Sequence, residues 1–155
     1  MDVSEATVQT QREWVQARGT VIVPLINEVR TELSAAFDAD VAAVDRDAYA
    51  ESVEALFEAP DRAINAAALI ALLRELDVVA DYPGFIVDEL LGRELAATIA
   101  GEQPLRLLAQ ATFHFADIVC ADAESAGADD LDAALAAGFQ TRLPGWAWRD
   151  QPAPL

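Results

Sequence analysis

Apolar residues come back at every third or fourth position through almost the whole chain, and that spacing commits it to helices before anything else is weighed. The clearest instance is TVIVPLINEVRTELSAAF, where Val21, Leu25, Val29, Leu33 and Phe37 repeat every four residues with Ile22 and Ile26 beside them. No segment alternates convincingly as a strand; Val21–Val23 is the one short run that would allow it. No internal repeat is evident. The expectation is all-α: a single-domain bundle of about seven helices over residues 1–139, then an extended Pro- and Trp-containing C-terminal tail over residues 140–155.

Punctuation supports that division. Ser4 can cap a first helix that ends before Gly19, and Thr20 can cap the second, with Pro24 inside its first turn. Asp45 or Asp47 caps a third helix through Glu58, with Tyr49, Val53, Leu56 and Phe57 facing inward. Ala59-Pro60-Asp61 turns the chain into RAINAAALIALLRELDVVADY, a helix so apolar all round that it is expected to be buried among several neighbours. Asp81-Tyr82-Pro83-Gly84 is a turn, Phe85–Ala100 is helical again, and Gly101 stops it. A short helix capped by Asp129 or Asp130 is expected to end at Gly138.

Pro104–Gly127 holds the only histidine and the only cysteine. As a helix stopped by Gly127, it places Leu107, Leu108, Ala111, Phe115, Ile118 and Val119 on one broad arc that should face the core. Arg106, Gln110, His114, Asp117 and Glu124 form a narrow polar stripe on an otherwise interior helix. His114 and Asp117, at i and i+3, can orient one another or share a ligand, and Cys120 lies close enough around the helix to join them on a metal. The alternative is a solvated stripe beside a buried thiol. No basic group adjoins Cys120 to activate it. Asp129, Asp130 and Asp132 lack the spacing and closing glutamate of a calcium loop. With one histidine, no Ser-His-Asp arrangement can be argued, and no glycine-rich phosphate loop is present.

Charge narrows the partners. There are 27 acids against ten bases, a formal net charge of −17, and every base is arginine. Such a chain reads as adapted to molar salt, where a Debye length of about 3 Å screens the repulsion that would strain it in dilute buffer. No basic stripe offers itself to nucleic acid. No apolar run reaches the roughly 20 residues that span a bilayer, so no membrane association is expected. The N-terminal MDVSEATVQTQ is unlike a signal peptide, and a lone cysteine suits a reducing compartment, so a cytoplasmic location is expected.

Two phrases, ALFEAPDRAINAA and LRLLAQATFHFADIVCADAE, resemble in type and order two motifs of the trans-isoprenyl (polyprenyl) diphosphate synthase family. That resemblance implies an isoprenoid-synthase-like all-α fold. In the family the first phrase binds diphosphate through basic residues, and the second chelates magnesium through carboxylates one and four residues apart. Here Arg62 stands in the clamping phrase, but Asn65 and Ala66 occupy the places of arginine and proline. Ala116, Asp117 and Cys120 occupy the places of the carboxylates, so one acid of three remains. A second aspartate-rich motif does not occur. The resemblance therefore implies a relic that does not ionise prenyl diphosphates, with Arg62, Asn65, His114 and Asp117 as the residues left to touch a ligand and Asp117 as the one metal ligand.

The leading expectation is a non-catalytic, salt-adapted helical protein that acts through protein–protein contacts, with no cofactor. Apolar residues make up 54% of the chain, more than a monomer this size needs, which favours a protein partner or a homo-oligomer. Trp146, Trp148 and Arg149 in the tail are of the types that dominate interface hot spots, and are expected either to pack on the body or to anchor that partner. One alternative is a magnesium-dependent diphosphate-binding or prenyl-transfer enzyme using Arg62, Asp117, Asp122 and Glu124. A further one is an assembly component of a larger particle such as a virion.

Overall fold

A computed structural model describes residues 3–38, 40–76, 87–120 and 126–145, and these form seven α-helices and no strand. They are α1 (Glu5–Ala17), α2 (Gly19–Phe37), α3 (Arg46–Glu58), α4 (Pro60–Glu75), α5 (Arg93–Ala100), α6 (Leu105–Cys120) and α7 (Ala126–Gln140). A π-helical turn, Val87–Gly92, leads directly into α5. Val21–Val23, the one run that would have suited a strand, lies inside α2.

Local chemistry sets several of these boundaries. Ser4 closes a capping box with Thr7, and the Asp45 carboxylate accepts the Ala48 N–H at 2.8 Å at the start of α3. Pro60 opens α4 at a position where its missing N–H costs nothing. Thr20 caps nothing: Arg18, in the helical region, joins α1 to α2, which begins at Gly19 and leaves Pro24 well inside the helix.

The expected four-residue stripe of α2 is only partly inward. Ile22, Leu25, Ile26, Val29 and Leu33 are buried, while Val21 and Phe37 at its two ends are exposed. A step of four advances 400°, so such a row drifts about 40° per turn and leaves the core at both ends. On α3 all four expected residues, Tyr49, Val53, Leu56 and Phe57, are buried.

The most buried helix is α7, not α4. Every residue from Leu131 to Gln140 is buried, and α7 packs against α6, α5, α2 and α4. It starts before Asp129 and Asp130 and runs past both Gly127 and Gly138, so neither glycine stops a helix. Gly138 serves close approach instead: a Cβ there would stand 2.7 Å from Ile99 Cβ and 3.1 Å from the Ala96 carbonyl of α5. By contrast α4 exposes Ile64 and Asn65.

Beyond α7 the chain stays on the body as far as Gly145. Thr141 and Leu143 are buried. Arg30 on α2, only 1% exposed, donates to the Gln140 amide oxygen and to the carbonyls of Ala42 at 2.5 Å and Pro144 at 2.6 Å. A guanidinium carries five donors in a fixed fork, so this one side chain ties α2, the segment before α3 and the exit from α7 together. The tail therefore begins as packed structure.

Candidate functional site

Two surface regions bear on function. The first is the outer side of α6. Among the described side chains of α6, Ala109, Phe113 and Ala116 are buried, and they lie about 140° round the helix from the centre of the predicted core arc. Four of the six residues on the arc expected to face the core are exposed to water, Leu107 at 60%, Ile118 at 58%, Leu108 and Ala111, while Phe115 and Val119 are half-buried and pack against the core. Phe37, 67% exposed at the end of α2, meets Phe115 edge-on at 6.4 Å and extends the patch onto a second helix.

The reason for this orientation lies in side-chain size. Two alanines and one phenylalanine on the buried side let α6 settle closely onto α7 and α5, which leucine and isoleucine would hold apart. Phe113 in turn fills the space above Gly92, where a Cβ would lie 2.6 Å from its ring. The reading of α6 as an interior helix with one wet edge is therefore corrected: it is a surface helix with an apolar outer arc.

The second region is the end of α5, where Gly101 (φ 95°) adopts a conformation that disfavours any side chain. Three arginines meet its last turn. Arg142 Nε donates to the carbonyls of Ile99 and Ala100, both at 2.8 Å. Arg106 Nη1 reaches the carbonyls of Ala97 and Gly101 at 3.4 Å, and its Nη2 pairs with Glu94 at 3.5 Å. Arg62, from the first turn of α4, lays its guanidinium over Gly101.

The residues singled out in the sequence are scattered over these regions. Arg62 is half-buried in the arginine group, with Asn65 exposed one turn along the same side of α4. His114 is exposed on α6 and Asp117 half-buried on its flank. Because α4 packs chiefly on α1, α3, α5 and α7, Arg62 comes to the Arg106 end of α6. His114 and Asp117 lie about 12 and 16 Å further along the axis. Trp146, Trp148 and Arg149, with Asp122 and Glu124, lie outside the described residues. Among the described residues no three His, Cys, Asp or Glu gather to hold a metal, and no helix is long and apolar enough to cross a membrane.

Sequence reasoning missed Arg30 and the gathering of Arg106 and Arg142 at Gly101. Gly101 was legible as a helix end; which cations would reach its carbonyls was not, because they arrive from α4, α6 and the segment after α7.

A family model described as "Domain of unknown function (DUF7984)" matches residues 1–155. The chain belongs to the DUF7984 family. No curated protein and no solved structure matches it. In this DUF7984 chain the outer arc of α6 and the arginine group at Gly101 are thus the two features from which function can be argued.

Proposed function

We propose that this DUF7984 protein is a non-catalytic helical subunit that works through protein contacts, and that the outer arc of α6 with Phe37 is the contact surface. The single observation that carries this is the orientation of α6, which turns Leu107, Leu108, Ala111 and Ile118 to solvent. Exposed leucines scattered singly need no explanation, but Leu107, Ala111 and Ile118 on one helical line, bordered by Leu108, Phe115 and Phe37, form one continuous patch.

The partner we favour is a second copy. Leu107, Ala111 and Ile118 form an uncharged line on which His114 is the only ionisable residue, so two copies can meet there without burying an acid. Repulsion between two molecules of charge −17 opposes the pairing in dilute buffer and is screened in molar salt. Descent from a prenyl-synthase-like ancestor belongs to the same reading and rests on the two sequence phrases alone.

Light scattering on the full chain across a KCl series tests the reading. The mass should rise to at least that of a dimer as salt increases, and Leu107→Glu with Ile118→Glu should hold it at that of a monomer without loss of helicity. A wild-type chain that stays monomeric throughout the series overturns the second copy as partner.

A further inference from the structure

The outer line of α6 steps by four, three and four residues through Leu107, Ala111, His114 and Ile118, all of them exposed. At 100° per residue these four lie within a strip about 60° wide, directly opposite the buried Ala109 and Ala116. Such spacing is that of a coiled-coil seam, whose apolar positions recur every 3.5 residues on average. It also reads the same from either end, so the line is complementary to itself under a two-fold axis.

The flanks of the strip differ. On one side stand Leu108 and the half-buried Phe115, beyond which Phe37 of α2 meets Phe115 edge-on at 6.4 Å. On the other stand Gln110 and Asp117, on the side where Arg106 reaches Glu94 of α5. That difference separates the two ways in which a pair of such helices can meet. In a parallel pair the apolar flank of each copy lies on the polar flank of the other, with Phe115 against the partner's Gln110. His114 then stands against the partner's His114 and Ala111 against the partner's Ala111, which crowds one layer and leaves a gap in the next. In an antiparallel pair like flanks meet: Leu108 lies against the partner's Phe115, and Gln110 against the partner's Asp117, amide to carboxylate. Leu107 packs on the partner's Ile118 and the His114 ring on the partner's Ala111, each contact made twice.

We propose that two copies of this chain pair through α6 in antiparallel orientation, with the two-fold axis crossing the seam midway between Ala111 and His114. Self-association as such belongs to the reading above, on which this pairing rests; the pairing adds orientation and register. Phe37, beyond Phe115, widens each of the two contacts between Leu108 and the partner's Phe115.

Disulfide trapping in molar KCl, in a Cys120→Ala background that leaves no native cysteine, tests the register. Leu107→Cys and Ile118→Cys chains, mixed under reducing conditions and then oxidised, should give mainly the mixed covalent dimer. Leu107→Cys alone should give little, because the two copies of position 107 stand about 16 Å apart along the axis. A disulfide needs Cα atoms within about 7 Å. Ala111→Cys mixed with His114→Cys should bond in the same way, and replaces the first pair if changing Leu107 or Ile118 weakens the dimer. Preferential bonding of Leu107→Cys to itself overturns the antiparallel seam and spares self-association. So do mixed pairs that stay unbonded while light scattering shows a dimer. A wild-type chain that is monomeric at every salt concentration overturns both.

Discussion

Tyr49 concentrates more of the chain's chemistry than any other core residue. Its ring packs edge-on against Phe139 at 5.3 Å, and its hydroxyl donates to the Val15 carbonyl at 2.7 Å. Beside it the Arg18 guanidinium holds the buried Asp132 carboxylate by two parallel bonds of 2.9 and 2.7 Å, and that bond raises the Arg18 pKa. Burial pushes the Tyr49 hydroxyl well above the ordinary phenol value, and the Asp132 charge adds to the shift while Arg18 opposes it. The sign follows. Above about pH 10 the unfolded chain releases this proton while the folded chain keeps it, so stability is full below that pH and falls as pH rises beyond it. With no lysine in the sequence, Tyr82 and Cys120 are the other side chains with ordinary values near this range. Denaturant midpoints should therefore be level to about pH 10 and then decline. Tyr49→Phe should remove most of the decline and cost about 1 kcal/mol at neutral pH for the lost hydrogen bond. A decline of the same size in the variant would place the titration elsewhere.

Among the elements, α7 shows how far helical periodicity can be read. Its sequence, AGADDLDAALAAGFQ, has aspartates that look like caps and glycines that look like stops, because propensity weighs each residue alone. Packing overrides it: small residues along α7 let α5 and α6 close on it, and Gly138 sits at a close approach to α5. Gly138→Ala should lower stability by about 1–3 kcal/mol, measured by urea unfolding, even though alanine is the better helix former. Both obstructing atoms, Ile99 Cβ and the Ala96 carbonyl oxygen, are fixed to the α5 backbone and cannot swing aside. A neutral result would mean that the two helices part at no cost. On α3 periodicity and burial agree, because the side of that helix carrying Tyr49, Val53, Leu56 and Phe57 is the one packed among α1, α2, α4 and α7.

For the whole molecule the governing quantity is charge. A net −17 on 155 residues makes compaction work against self-repulsion, and the described ion pairs engage few of the 27 acids. We propose salt adaptation as the answer to that strain. The melting temperature should rise steadily from dilute buffer to molar KCl, and helicity should fall on dialysis to low salt. A melting curve indifferent to KCl would count against salt adaptation and would also remove the expected salt dependence of self-association.

The sequence by itself determined that this chain is helical, where most helices begin, and that its net charge is strongly negative, since period, caps and charge are properties of consecutive residues. Tertiary structure alone decided which side of α6 is buried, which helix is central, and that arginines from three separate segments meet over Gly101. Those outcomes depend on the relative sizes of side chains from distant parts of the chain: two alanines outcompete a row of leucine and isoleucine for the core because they let helices come closer. No single helix carries that information.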